Sequence, residues 1–145
     1  MPRFAVSACL AGCPCRYDGK ASPCPEVIRL VKRGEALPFC PEVLGGLPTP
    51  RTPCERMGTR VLDRDGNDQT LAFLSGAREA TRLARAVGCT AAILKSRSPS
   101  CGNGEIYDGS FRHIRIPGIG IWAKMLREAG FVLFSEENLP PEARS

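Results

Sequence analysis

Cysteine is the residue type that carries most of the chemical information in this chain. Eight are present among 145 residues: Cys9, Cys13, Cys15, Cys24, Cys40, Cys54, Cys89 and Cys101. In a small secreted protein such a count reads as a disulfide framework. In a reducing compartment it reads as metal binding or catalysis. The N-terminus points to the second setting. Met1-Pro2-Arg3-Phe4-Ala5-Val6 offers one basic residue and a short apolar stretch that ends at Cys9-Leu10-Ala11-Gly12, with no A-x-A-like cleavage site. No apolar run approaches the ~18 residues of a membrane span. The expected location is therefore cytoplasmic, with the thiols reduced.

Three of the cysteines stand out by their neighbours. Cys9 precedes Leu10-Ala11-Gly12, Cys40 precedes Pro41, and Cys101 lies between Pro99 and Gly102. Such backbones can present a thiolate without a helix or a strand ladder competing for the same space. Thiolates favour zinc, copper(I) or iron–sulfur clusters. A closed zinc site or an electron-transfer cluster wants four protein ligands. Three ligands leave one metal position open, which is what substrate chemistry requires. A second reading stands beside this one on spacing alone: buried thiols acting as small hydrophobes. No C-x-x-C pair is present to decide between them. Cys13-Pro14-Cys15 reads as a redox pair, an accessory ligand set or plain loop residues. Cys54 and Cys89 read as structural.

Other side chains near these cysteines could share the chemistry. Glu42 lies two residues after Cys40, where a carboxylate could take a proton from water. Ser98 and Ser100 flank Pro99 beside Cys101; their hydroxyls suit a small polar ligand, and equally suit a turn. Lys95 ends an apolar strand, either as an anion partner or as a lysine that snorkels outward. Arg16-Tyr17-Asp18 forms a charged turn near Cys15. His113 is the single histidine, which argues against a histidine-based zinc site, and it reads as a surface residue. Trp122 reads as core. Gly45-Gly46 and Gly118-x-Gly120 lack the spacing of a dinucleotide fingerprint, and no Walker lysine motif occurs.

These residues need a scaffold that gathers them. Phe4-Ala5-Val6-Ser7 reads as a short buried strand leading into an irregular loop, Ala8 to Pro25, with Pro25 in the first turn of a helix. Val27, Ile28, Leu30 and Val31 give that helix an apolar face, and Gly34 stops it. Leu37 to Cys40 reads as a second strand and Pro41 to Pro53 as a long loop with a functional reason for its length. Arg60-Val61-Leu62 reads as a short strand before an Asp65-Gly66 turn. Leu71 to Val87 has helical spacing at Leu71, Leu74, Ala77, Thr81, Ala84 and Val87, with Asp68 or Thr70 as its cap and Gly88 after its end. Ala91 to Leu94 suits a central parallel strand. Ser96 to Gly104 is a third loop, and Tyr107-Asp108-Gly109 a turn. Ile119 to Ala129 reads as a helix and Phe131 to Phe134 as the last strand. Residues 135–145 read as a polar tail that frays.

Strands alternating with helices predict an α/β fold: a single domain over residues 1–145 with a mainly parallel sheet, helices on both faces, and a Rossmann-like three-layer section. Ligands of such sheets bind outside the carboxyl ends of the strands. Cys9 follows one strand, Cys40 ends another and Cys101 follows a third, so the pattern sends three distant cysteines, on long loops, toward one sheet edge. Length and composition agree: about 150 residues bury enough surface for a core without disulfide staples, and 43% of the residues are hydrophobic. The net charge of +5 permits contact with a phosphate backbone without demanding one, and no basic run is interleaved with aromatics.

Several segments together resemble a known family. They are Ser7-Ala8-Cys9-Leu10, Cys15-Arg16-Tyr17-Asp18-Gly19, the long run from Cys40-Pro41-Glu42-Val43-Leu44-Gly45-Gly46 to Pro50-Arg51, Gly76-Ala77, Ile93 to Gly102, and Ile106-Tyr107-Asp108-Gly109-Ser110-Phe111. They are similar to the bacterial thiouracil desulfidases, in the short form without a further C-terminal domain, from about Phe4 to Phe134. The resemblance implies an enzyme with hydrolase-like C–S bond cleavage that replaces the sulfur of a thiolated uracil by oxygen from water, without net redox change. It implies a [4Fe–4S] cluster held by Cys9, Cys40 and Cys101, with the fourth iron open to the substrate sulfur. Glu42 would then be the acid/base residue, and Ser98 or Ser100, with Lys95, would hold the base. The substrate would be a small thiolated nucleobase or its tRNA-derived form. The competing readings are a zinc or iron–sulfur sensor or assembly module, and a thiol redox protein using Cys13 and Cys15. The chain departs from the family pattern at Cys13, Cys24 and Cys54, at Gln69 where a valine is expected, and at Trp122 where a small residue is usual. At the mouth of a pocket, Trp122 could narrow it or stack on a base.

Overall fold

The computed structural model describes residues 2–144. Four short parallel strands form the central sheet: β1 (Phe4–Ser7), β2 (Ala36–Phe39), β5 (Ala91–Leu94) and β8 (Val132–Ser135), in the order β2-β1-β5-β8. Two antiparallel hairpins stand beside it: β3 (Cys54–Met57) with β4 (Arg60–Asp63), and β6 (Asn103–Tyr107) with β7 (Arg115–Ile119). The helices are α1 (Pro25–Lys32), the single turn α2 (Pro41–Leu44), α3 (Thr70–Ala86) and α4 (Ile121–Glu128).

Side chains alternate across a strand, and here both faces are covered. Phe4, Val6, Ala91 and Ile93 pack with Val27 and Leu30 of α1. Ala5, Ala92 and Leu94 turn the other way, toward Phe73, Ala77, Ala80 and Ala84 of α3 and Trp122 and Leu126 of α4. Burial on both sides is why β1 and β5 read as unbroken apolar runs. The expected α/β architecture with helices on both faces is the one observed.

Several local expectations are corrected. Residues 41–44 are helical, not loop, because Pro41 occupies the first helical position, where its missing N–H costs nothing. α2 then packs on α3 with backbone against backbone: a Cβ on Gly45 would collide with the Ala72 carbonyl, and one on Gly76 with the Pro41 carbonyl. The predicted apolar face of α3 is rotated. Leu71 is 82% exposed, and the buried stripe runs through Phe73, Gly76, Ala77, Ala80 and Ala84. The N-cap of α3 is Gln69, without a side-chain cap. Asp68 instead accepts from the Thr70 amide at 2.9 Å, and the Thr70 hydroxyl accepts from the Val61 amide at 2.9 Å. Ile119 ends β7 rather than starting a helix; α4 begins at Ile121.

The segment after Ser135, expected to fray, makes specific contacts. Ala143 is buried against the α1 side of the sheet, and Glu136 reaches back to the loop after β5, accepting from the Ser96 amide at 2.8 Å. No helix among the described residues is long and apolar enough to cross a membrane.

Candidate active site

Because β2, β1 and β5 are adjacent and parallel, the loops leaving their carboxyl ends are adjacent too. Cys9 lies in the 3-10 turn Ala8–Ala11 directly after β1. Cys40 is the N-cap of α2, one residue past β2. Cys101 lies in the loop after β5, a loop fastened to α4 by the Trp122 amide donating to the Ser100 carbonyl at 2.8 Å. All three line one cavity of about 310 Å³, together with Glu42, Ser98, Ser100 and Lys95. Seven residues picked from the sequence thus meet in one place. Cys15 and Cys54 line the same cavity, whereas Cys13 and Cys24 do not. Cys24 instead packs beside Val27 and Leu30. Trp122 lies away from the mouth, fully buried and edge-on to Phe39 with ring centroids 6.2 Å apart. Among the described residues its indole N–H has no partner. His113 is exposed, as expected, yet also lines the cavity.

The thiols differ in character. Burial pushes Cys9 up to about 11, against the opposing pull of the Lys95 cation. Burial also pushes Cys101 up to about 12, opposed by hydrogen bonds from Ser7 and Ser100. Cys40 moves the other way, down to about 7, chiefly because the Cys15 thiol hydrogen-bonds to it. Cys15, the donor of that bond, is raised correspondingly. All eight cysteines are free thiols. Among the described residues no group of three or more His, Cys, Asp and Glu is close enough to hold a single metal ion.

Around the thiols runs a polar network. The Ser100 hydroxyl donates to Glu42 Oε2 at 2.8 Å and lies 3.0 Å from the Ser98 hydroxyl. Ser98 Oγ also accepts from the amides of Ser100 and Cys101, at 3.1 Å each, which fixes the Cys101 loop. The other oxygen of Glu42 accepts from Arg51 Nε at 3.0 Å. Lys95 donates to Glu136 Oε2 at 2.9 Å, and the Lys95 amide donates to Ser7 Oγ at 2.9 Å.

Neither residue type nor spacing along the chain marks Arg51, Glu136 or Ser7 as a site residue. Arg51 and Ser7 lay inside the matched segments, but no spacing rule tells that a residue nine positions after Glu42 folds back on it. Glu136 is separated from Lys95 by the whole of the second hairpin, α4 and β8.

Thiols, a carboxylate and hydroxyls at the carboxyl edge of a parallel sheet covered on both faces define an α/β enzyme with a thiol-lined centre. The chain belongs to the 2-thiouracil desulfurase family, which it matches over residues 4–138. A solved structure of the [4Fe–4S]-dependent thiouracil desulfidase TudS superposes with a TM-score of 0.92 at 45% sequence identity, covering 99% of this chain and 97% of that one. The uncharacterized protein YbbK of Bacillus subtilis (strain 168) is 38% identical over 144 residues, 92% of this chain and 95% of its own length.

Proposed function

We propose that the chain is an iron–sulfur-dependent thiouracil desulfidase that exchanges the sulfur of a thiolated uracil for oxygen from water, with no net redox change. Thiouracil and water give uracil and hydrogen sulfide: the ring carbon loses its bond to sulfur and gains one to oxygen at the same oxidation level. The observation that carries this reading is the convergence of Cys9, Cys40 and Cys101 with Glu42 and Ser100 on one cavity, in a chain of this family.

The donor set fits a [4Fe–4S] cluster. Iron–sulfur clusters are held by cysteine thiolates, and Cys9, Cys40 and Cys101 offer one each from three adjacent loops. When bound, the cluster supplies a thiophilic Lewis acid with one position free of protein ligands.

The remaining work belongs to side chains. Glu42 takes a proton from the attacking water, and the Ser100 hydroxyl, 2.8 Å from its Oε2, holds the carboxylate at the reacting edge. Ser98 and Ser100 hydrogen-bond the polar edge of the base. Lys95, paired with Glu136 at rest, offers positive charge where negative charge develops on the ring. Phe39, Tyr107 and Phe111 line the same cavity and give it apolar walls. A cavity of about 310 Å³ lies at the lower end of the size range of small-ligand sites. We read residues 1–145 as one desulfidase domain working in the cytoplasm, the reducing setting in which free thiols persist.

The test is turnover of 2- and 4-thiouracil by anaerobically reconstituted protein in ¹⁸O-labelled water. The proposal expects uracil and sulfide in equal amounts, the label in uracil, no need for a reductant, and loss of turnover in Glu42→Ala with the visible spectrum of the cluster kept. A strict need for a reductant, or unlabelled uracil, would contradict it.

A further inference from the structure

Arg51 is the most heavily committed side chain at the site. It is buried, with 6% of its side chain exposed, and each of its three nitrogens has a partner. Nε donates to Glu42 Oε1 at 3.0 Å. One terminal nitrogen donates to the Pro48 carbonyl and the Thr49 hydroxyl, at 3.1 Å each. The other donates to the Cys15 carbonyl at 2.9 Å, which the Cys40 thiol also faces at 3.9 Å.

We infer that Arg51 is a positioning residue that acts through Glu42: it fixes which carboxylate oxygen faces the reacting carbon. This deepens the reading of Glu42 as the acid/base residue and rests on it. With Oε1 tied to Arg51, Oε2 is left for Ser100 and for water. The guanidinium is itself held against rotation by two loops, the one after α2 and the one carrying Cys15. A planar fork can hold these directions at once, and a single ammonium cannot. A carboxylate misplaced by about 1 Å is enough to cost about 10²-fold in rate.

The experiment uses reconstituted protein with Arg51→Lys, Glu42→Gln and the double variant. Iron content, visible spectrum, kcat and KM are measured for each. Arg51→Lys is expected to keep full iron and an unchanged spectrum, to hold KM within about 2-fold, and to lose about 10- to 100-fold in kcat. The double variant is expected to be no slower than Glu42→Gln alone, because residues acting as a unit are not additive. Wild-type kcat in Arg51→Lys would overturn the inference. So would loss of iron in that variant, or a lysine effect that adds in full to Glu42→Gln, since either would make Arg51 a scaffold for the loops. Glu42→Gln alone separates the two claims: near-normal turnover there overturns the Glu42 reading together with this one, whereas an inactive Glu42→Gln beside a fully active Arg51→Lys overturns only the role of Arg51.

Discussion

At the carboxyl edge of the sheet, a cavity of about 310 Å³ is lined by five cysteines, three serines of one loop and several charged side chains. Near the amino ends of β5 and β8, a more open cleft of about 290 Å³ is lined by Arg85, Gly88, Cys89, Thr90, Ala129, Gly130 and Phe131. Volume does not separate these two places; backbone does. At the carboxyl edge the strands run into long loops, rich in glycine and proline, that bring side chains inward. At the amino edge, tight helix-to-strand connections leave little but a path for the chain. Cys89 shows the contrast well. It is 5% exposed, packs in the α3 and α4 core, and is raised by burial alone. Cys40, also partly buried, is lowered by a thiol neighbour. A cysteine's chemistry follows what faces it.

Substitutions can break or sharpen that contrast. At the carboxyl edge, Ser100→Ala removes the donor to Glu42 Oε2. It should reduce kcat by about 10²-fold in a steady-state thiouracil assay, with cluster content kept. A wild-type kcat would make Ser100 a packing residue, like those of the amino edge.

Glu136→Gln tests the outer rim. The Glu136 carboxyl is held below its ordinary value of 4.5: burial alone would raise it, and the hydrogen bonds from Lys95 and Ser96 prevail. A depressed carboxylate contributes stability above its unfolded-state value and loses it as pH falls through its folded-state value. The variant should therefore be less stable at pH 7 by about 1–3 kcal/mol, and the difference should close below pH 4.5. Denaturant melts at several pH values would show this; a gap that persists in acid would mean that the glutamate contributes by packing.

At the amino edge, Cys89→Ala should cost about 1 kcal/mol and leave turnover unchanged. Lost activity there would erase the distinction between the two clefts.

The sequence exposes these regions unequally. β1, β5, α1 and α3 are legible because apolar runs and helical spacing are local signals. The gathering of Cys9, Cys40 and Cys101 is legible too, since each follows a strand of a parallel sheet. The hairpins are not: Cys54–Met57 shows no alternation, and Arg115–Ile119 contains Pro117 and Gly118, which read as breakers. α2 hides behind Pro41, which reads as a loop residue until its place at the first helical position is seen. Arg51 and Glu136 reach their partners only through tertiary folding, so no window along the chain reveals them.

The proposed function stands or falls on Cys9, Cys40 and Cys101 together holding an iron–sulfur cluster at the carboxyl edge. Iron and acid-labile sulfide, measured on anaerobically reconstituted wild type and on Cys9→Ala, Cys40→Ala and Cys101→Ala, test it most directly. The wild type should hold about four iron and four sulfide per chain, as a [4Fe–4S] centre requires, and each variant should lose them. A wild type that takes up no cluster, or a full cluster that survives all three substitutions, would contradict it.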